Sequence, residues 1–462
     1  MKRLFIVILA IASICQICNA QTPINNPVVY ITENGSNTGT GVGGWFLYPI
    51  SADHFAYNVN NGVYSGTVKA RFAGGDYYTD FVFVNVPNTI QSIEMYGGWN
   101  PNAPFNKRSI TDRDLINYET RFHATGRDNL VCLANIGRYH INGPEVSVVD
   151  GITFTSDGYS SSYSAMALYY GDYVISQCKF EKFITTTWLI WMETSGHTVT
   201  YTSCLFDCNE VKSLMALCTH INLINVTITD NYLTDDMFVS FNNPPSTIYT
   251  YNLQNSIIYN NSNMHMASDY FDVSNSLLES NESWINDITN NLIGSTYNPV
   301  FNSYSAAPYS CNYYTSPVIA AGSSSFITLC PFYDPNIMDY DIANMYRYYD
   351  FYALKTDMGA YQNGYEDGTH LYNVGGSIMY APHKRRKETT TNDIWSDRRT
   401  IYVNNVSSET ILTIYNISGQ IVYKTALQEG LNTIPSLLNT GVYIAKTTQE
   451  GNEIESKRII LR

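Results

Sequence analysis

A short pattern recurs through the middle of the chain: an apolar segment, one or two polar or small residues, then a second apolar segment. The copies occupy residues 148–154, 174–180, 199–206, 223–228, 253–258 and 273–278. We compare one residue from each copy and call this set the column. Successive members are 27, 26, 22, 30 and 20 residues apart, and the column contains Gly151, Cys178, Cys204, Val226, Ser256 and Ser276. This period predicts a solenoid, in which each unit exposes an apolar face that only the next unit can cover.

The residues of the repeat favour strands and tight turns over helices. The chain has 39 tyrosines, and no long apolar stripe follows the 3.6-residue helical period. Asn and Asp tolerate left-handed turns and follow most copies, at Asp157, Asn209, Asp230, Asn231, Asn260, Asn261 and Asn281. We expect the small column residues to lie where the coil turns a corner. The predicted fold class is all-β, a right-handed parallel β-helix followed by a small C-terminal β-sandwich.

The first 20 residues have the pattern of a cleavable signal peptide. Lys2 and Arg3 precede an apolar run at 4–14 that is too short to cross a membrane, and Ala20 precedes the expected cleavage site before Gln21. Lipid attachment at a signal-peptide cysteine is disfavoured, because each of the two follows an isoleucine where a small residue is expected. No later segment is apolar enough to span a bilayer, so no transmembrane segment is expected after signal removal.

The charge distribution restricts the partners. The formal net charge is −14, and most of the negative charge lies on the body. An acidic body repels phosphate backbones, so we expect no nucleic-acid partner. The histidines lack metal-ligand spacing, and neither a metal nor a cofactor is expected. Calcium binding by carboxylates is an alternative that no motif supports.

The two ends of the body carry motifs of a known superfamily. The opening segments are 30–36 (YITENGS), 73–78 (AGGDYY) and 93–101 (IEMYGGWNP), and the closing segments are 316–322 (SPVIAAG) and 357–362 (DMGAYQ). They resemble secreted parallel β-helix proteins of the pectin-lyase-like superfamily and the choice-of-anchor Q region, over roughly 28–362. Ala320 stands where the closing motif usually has Asp. The resemblance implies a surface-displayed β-helix at 21–362 and hardly restricts its chemistry.

A stretch rich in glycine follows the body. Residues 363–400 include the basic run 384–387 (KRRK), which is interpreted as part of a solvated linker rather than a nucleic-acid site.

The final segment, 401–462, changes to short alternating strands split by glycine turns, as in a small β-sandwich. Its motifs contain, in chain order, Gly419, Gln420, Gly441, Val442, Tyr443 and Lys457. Together they resemble the type A sorting domain of the type IX secretion system of Bacteroidetes. The resemblance implies recognition by the type IX secretion machinery and a final location outside the cell, either secreted or at the outer-membrane surface.

Catalytic signatures are weak. Relatives of the fold include polysaccharide lyases and hydrolases, and hydrolases need clustered carboxylates. Asp235 and Asp236 are the one adjacent pair in the coils, and a turn is the favoured interpretation. A lyase needs basic groups to bind a uronate, yet residues 183–346 contain Lys212 and no arginine. We therefore expect no enzymatic activity. A polysaccharide-degrading lyase or glycoside hydrolase is the alternative.

Aromatic residues offer a second kind of site. Trp188, Trp191, Tyr169 and Tyr170 lie in or beside the coils and could stack on sugar rings. The alternative is that they serve only as core or strand-forming residues. The expected function is an adhesin-like surface protein that engages glycans or host surface proteins.

Seven cysteines remain after signal removal, so at least one lacks a partner within the chain. A Cys311–Cys330 bridge and two buried thiols at these positions are equally supported by the sequence.

Overall fold

A computed structural model describes most of the chain beyond residue 21. The described residues are 22–42, 49–84, 86–102, 113–126, 129–134, 136, 145–156, 160–194, 196–241, 249–267, 270–294, 296–301, 309, 311, 316–318, 321–323, 325–328, 332–342, 355–361, 369–374, 377–382, 393–397, 400–405, 410–416, 419–428, 430–435, 438, 441–449 and 452–461. The predicted signal peptide, Asp157, Ala320, Cys330 and the basic run 384–387 lie outside them. The chain divides into two units, one with the repeats and one with the C-terminal module.

Three parallel sheets build the first unit. The first sheet contains Ile24–Asn25, Val28–Ser36, Tyr64–Ala73, Ile90–Trp99, Ser147–Asp150, Tyr173–Ser176, Thr198–Thr202, His220–Ile224, Tyr251–Gln254, Phe271–Ser274 and Ile285–Thr289. The second contains Gly75–Tyr77, Thr120–His123, Ile152–Thr155, Lys179–Glu181, Leu205–Asp207, Thr227–Thr229, Ile257–Tyr259, Leu277–Leu278 and Leu292–Ile293. The third contains Phe81–Val84, Val131–Ala134, Ser160–Ser161, Met166–Tyr169, Ile184–Glu193, Glu210–Leu217, Tyr232–Leu233, Phe238–Ser240 and Met266–Ala267.

Successive coils stack in register. Each coil gives one strand to each sheet in turn, as Tyr173–Ser176, Lys179–Glu181 and Ile184–Glu193 do, and the next coil pairs with it in parallel. Apolar side chains from all three sheets fill one continuous core. Phe154, Phe180 and Phe206 stack there with ring centroids 4.7 Å apart. The parallel β-helix that the repeat predicts is thus confirmed.

The corner between the first and second sheets is turned by a single residue with positive φ. The residues are Gly151, Gln177, Ser203, Asn225, Asn255, Asn275 and Asn290, with φ between 49° and 69°. The predicted column was wrong in two respects: Gly151 is not its first member, and its residues do not turn the corner. Asp150 pairs with Ser176 and Thr153 with Lys179, so Gly151 is level with Gln177 and Ile152 with Cys178. The column residue follows the corner and points into the core.

The corner between the second and third sheets repeats this arrangement. Lys182, Cys208, Asp230 and Asn260 have φ between 52° and 57°, and Asn209, Asn231 and Asn261 follow the last three of them. Asn209 donates from Nδ2 to Asn231 Oδ1, and Asn231 to Asn261 Oδ1, both at 2.8 Å. This ladder satisfies amide groups that the turns would otherwise bury without partners.

Three helices accompany the coils in the described part of the chain: Ala52–Asn60, Ser325–Thr328 and Pro335–Met338. Ser51 caps the first by accepting from the His54 backbone N–H, and Phe55 and Val59 bury its inner face in the core. The helix therefore closes the N-terminal end of the stack.

The segment after the last coil lies back along the first corner. We call its described residues between 316 and 361 the strap. It contains the short antiparallel pair Gly322–Ser323 and Lys355–Thr356. Ile327 and Met338 cover Tyr96 and Val148 on the outer face of the first sheet. Val318 and Met358 similarly cover Ile257 and Leu277 on the second sheet.

The second unit contains antiparallel strands. Before the C-terminal module in sequence, Thr369–Val374 and Ser377–Pro382 form a two-stranded sheet, of which residues 371–379 are assigned to the first unit. In the module, one sheet contains Asp393–Asp397, Thr400–Asn405 and Gly430–Pro435, and the other Thr410–Tyr415, Ile421–Ala426, Gly441–Gln449 and Asn452–Leu461. Ile401 and Val403 from one sheet and Leu412, Ile414 and Ala445 from the other share one core. The predicted β-sandwich is confirmed. The strand Asp393–Asp397, within the predicted linker, belongs to its first sheet.

Candidate functional site

Two tryptophans meet on the third sheet. Trp188 and Trp191 lie in the strand Ile184–Glu193, three residues apart, so regular alternation would point them to opposite faces. Leu189 and Ile190, which lie between them, are both buried in the core, so the alternation is interrupted and both indoles lie outside the core. The two indole rings lie 4.8 Å apart between centroids, and both are half-buried.

A phenylalanine from a later coil completes the cluster. The Phe241 ring lies 5.8 Å from the Trp188 ring and 5.6 Å from the Trp191 ring. We call Trp188, Trp191 and Phe241 the aromatic platform. Sequence reasoning missed Phe241, because it lies 50 residues beyond Trp191 and only the stacking of coils brings it there. Phe241 directly follows the strand Phe238–Ser240, and an aromatic residue at that position is the sequence signal that could have indicated it.

Small residues surround the platform. Ala167 and Ala216 are the register partners of Trp191 on the two neighbouring strands. Their short side chains leave room for the indole to lie along the sheet. Tyr169 and Trp191 pack against the same cluster of Cys132, Ala134 and Ala167. Tyr170, with φ of 48° at the end of its strand, is 37% exposed. Three of the four predicted aromatics thus lie on one face.

Polar groups at the platform are few. Lys212 Nζ lies 5.2 Å from the Trp188 ring centroid, a cation–π distance. The indole N–H groups of Trp188 and Trp191 are shielded from solvent and have no hydrogen-bond partner among the described residues. Burial raises the pKa of Tyr169 to about 12, with smaller contributions from Cys132 and Glu193, so its phenol stays neutral. The platform therefore presents aromatic faces, whereas its indole N–H donors are shielded from solvent.

Asp235 and Asp236 lie in the connection between Tyr232–Leu233 and Phe238–Ser240. The Asp236 backbone N–H donates to Asp235 Oδ1 at 3.0 Å, a bond within the turn. The second Asp235 oxygen lies 3.7 Å from Lys212 Nζ, and Asp235 is about half exposed. This carboxylate therefore neutralises the cation beside Trp188.

A charged network that the sequence did not reveal occupies the outer face of the second sheet. Glu119 contacts Arg121 at 2.9 Å and Lys179 at 3.0 Å, and Arg121 lies 3.6 Å from Glu181. The Lys179 and Arg121 cations and a bond from Thr153 outweigh burial and lower the pKa of Glu119. The charges of the network largely pair with one another, as in a structural ion-pair cluster.

Asp207 lies at the edge of that network. It is the register partner of Glu181 and is almost fully buried. Burial, with Glu181 nearby, raises the pKa of Asp207 to about 6, while Tyr309 and Cys208 partly offset the shift. Its Oδ1 has no hydrogen-bond partner among the described residues. Asp207 is the described carboxylate on this face whose pKa is closest to that of a general acid.

Within the described ranges, no group of three or more His, Cys, Asp or Glu side chains is arranged to hold an ion. The His123–Asp76 contact at 2.7 Å and the His197–Asp172 contact at 3.2 Å each join one histidine to one carboxylate.

The predicted sorting motif lies on the four-stranded sheet of the module. Gly419, with φ of 78°, and Gln420 turn the chain between two strands, and the Gln420 N–H donates to Asn416 Oδ1 at 2.9 Å. At the other edge, the register partners of Gly441, Val442, Tyr443 and Lys457 are Leu461, Ile460, Ile459 and Ala445 respectively. The motif residues are therefore brought onto one antiparallel sheet.

Comparison with known proteins identifies the module alone. Residues 395–462 match the family model of the secretion system C-terminal sorting domain. No curated protein and no solved structure matches the chain. None of the described helices has the length and apolar character needed to cross a membrane. The C-terminal module is thus similar to sorting domains of secretion systems, and the chain carries the address for type IX export to the cell surface or the exterior.

Proposed function

We propose that the β-helix body is an adhesin-like, non-enzymatic binding module whose aromatic platform holds a neutral glycan outside the cell. The observation that carries the proposal is the meeting of Trp188, Trp191 and Phe241 on one sheet face. Export by the type IX system supports it, because the platform would then face glycans of the surroundings.

The composition of the face favours sugar rings as the ligand. An aromatic ring presents a broad apolar surface with a partly negative face, which suits the C–H groups of a pyranose. The two indole N–H groups, which have no partner among the described residues, would donate to sugar hydroxyls once the side chains rotate to expose them.

The charge of the chain favours a neutral rather than an acidic glycan. Lys212 Nζ lies 5.2 Å from the Trp188 ring centroid, and Asp235 already lies 3.7 Å from this cation. With a net charge of −14, the protein repels polymers of uronate or sulfate.

Binding to an array of neutral and acidic glycans tests the proposal. We expect the purified chain to retain neutral oligosaccharides and Trp191→Ala to lose them. Tyr270→Ala is the matched control, because Tyr270 is 62% exposed and lies outside the platform. Equal binding by both variants, or binding only to proteins, would refute the glycan ligand.

A polysaccharide-degrading enzyme is the second candidate. The observation in its favour is the pair Glu181 and Asp207 on neighbouring coils, with the pKa of Asp207 raised to about 6 by burial. Such an acid could protonate a glycosidic oxygen, with Glu181 in the role of base or nucleophile. Against it, Leu205 beside Asp207 is covered by Tyr361 and Tyr309, and Arg121 lies 3.6 Å from Glu181. New reducing ends from a polysaccharide panel, lost in Asp207→Asn, would establish it.

A further inference from the structure

We propose that Cys178 and Cys204 form a disulfide bond that joins two successive coils of the exported protein. This inference is independent of the glycan site.

The two cysteines lie at the same level of neighbouring coils. Ser176 pairs with Thr202 and Lys179 with Leu205, so residues 178 and 204 face each other across one strand spacing. Neighbouring strands are about 4.7–4.9 Å apart, within the roughly 4.4–6.8 Å between Cα atoms that a disulfide accepts. Both side chains are fully buried in the same core. The backbone therefore places the two residues within the Cα range of a disulfide, and the bond requires the two free thiols to rotate toward each other.

The thiols have little to lose on oxidation. Cys178 Sγ lies 3.2 Å from the Ser176 carbonyl oxygen and Cys204 Sγ 3.3 Å from that of Thr202. A thiol is a weak donor. At the same level of later coils, Ser256 makes the equivalent bond to the Gln254 carbonyl at 2.8 Å. The position thus accepts serine naturally, which provides a matched replacement for either cysteine.

The other described cysteines lie at different places in the coils. Cys132 is in the strand Val131–Ala134 and Cys218 directly follows Glu210–Leu217, and two strands of the third sheet separate these. Cys208 lies at the second corner, and Cys311 packs with Val318 under the strap. Among the residues that the structure describes, 178 and 204 are the cysteines in adjacent register.

The oxidation requires an acceptor outside the cytosol. A thiolate of one cysteine attacks the disulfide of a thiol oxidase, and the second cysteine then displaces the oxidase from the mixed disulfide. Two protons leave the cysteines, the S–S bond forms, and two electrons reduce the oxidase disulfide to a dithiol. Export takes the chain from a reducing into an oxidising compartment, where such oxidases act.

Burial of the thiols determines when the disulfide can form. Burial raises the pKa of the Cys178 thiol well above its ordinary value, which leaves little thiolate once the coils have closed. The exchange therefore occurs while the coils assemble, and the finished bond is shielded from reductants in the folded protein.

Mass spectrometry of full-length protein recovered from exporting cells tests the bond. The protein is unfolded in guanidinium with iodoacetamide and without reductant, then digested. We expect peptides containing residues 178 and 204 to be linked, and to be alkylated only after reduction. Direct alkylation of both cysteines would overturn the proposal.

A serine variant gives a second, independent readout. In Cys204→Ser we expect Cys178 to be alkylated directly and the guanidinium midpoint of unfolding to fall to that of the reduced wild-type chain. Refolded, reduced wild-type protein with the same midpoint as the exported protein would show that no cross-link exists.

Discussion

Asn225 Nδ2 lies 2.9 Å from the backbone carbonyl oxygen of Asp357, so a corner of one coil is bonded to the strap 132 residues later. Neighbouring corners repeat the contact. Asn255 donates to the Ser323 carbonyl at 2.7 Å and Ser203 to that of Tyr340 at 2.8 Å. The corner residues thus have two roles, since their left-handed backbone turns the coil and their side chains fix the strap.

Substitutions of Asn225 separate these two roles. Asn225→Gly keeps a backbone that tolerates φ of 55° and removes the bond to the strap, so we expect a loss of about 1 kcal/mol in unfolding free energy. Asn225→Ala also strains the backbone and should lose roughly 2–3 kcal/mol. Denaturant unfolding measures both, and an alanine variant no less stable than the glycine variant would contradict the strain.

The buried pair Arg113 and Asp150 supports the first corner at its N-terminal end. Arg113 Nη2 lies 2.6 Å from Asp150 Oδ2, both side chains are fully buried, and Arg113 also donates to Gln177 Oε1 at 3.1 Å. Arg113→Ala would leave a buried carboxylate without its counter-charge, at an expected cost of about 3–5 kcal/mol. Thermal unfolding measures it. The surface variant Lys69→Ala, which loses an exposed pair with Glu94, should change stability by less than about 1 kcal/mol.

Asp207 should make stability depend on pH between about 4 and 6. Burial raises its folded pKa to about 6 from an ordinary 3.8, so the folded state prefers the protonated acid. That preference stabilises the fold below pH 4 and is lost as pH rises through 6. Asp207→Asn should therefore be more stable than wild type above pH 6, by on the order of 3 kcal/mol, and gain little at pH 4. Asp235→Asn is the exposed control, and an equal pH profile for both variants would contradict the assignment.

The aromatic platform should depend on ring faces rather than on bulk. Trp191→Phe keeps an aromatic face and should weaken binding of a neutral oligosaccharide several-fold, whereas Trp191→Leu should weaken it at least about tenfold, or roughly 1.4 kcal/mol. Isothermal titration measures both. Indistinguishable affinities for the two variants would argue against stacking.

Removal of residues 395–462 should stop export. We expect the truncated body to fold and to accumulate in the periplasm, because the sorting module is then missing. Fractionation of exporting cells with antibody against the body measures this. Normal appearance of the truncated chain outside the cell would contradict the sorting role.

The sequence by itself determined the β-helix architecture and the presence of the sorting module. Alternating apolar residues at a period of 20 to 30 residues permit few folds, because each unit must be covered by the next. Linear motifs such as Gly419–Gln420 and Gly441–Tyr443 are read along the chain, so they identified the sorting module without a structure. Both kinds of signal depend on neighbours in sequence.

Only the tertiary structure decided the register and the site. Whether Gly151 or Ile152 is level with Cys178 depends on backbone pairing between coils. A pattern of similar residues does not distinguish two registers that differ by one residue. Phe241 reaches Trp188 and Trp191 from two coils later in the chain, and the strap reaches Asn225 from 132 residues away. These contacts arise from stacking in space, and residues distant in sequence carry no local signal of where stacking will bring them.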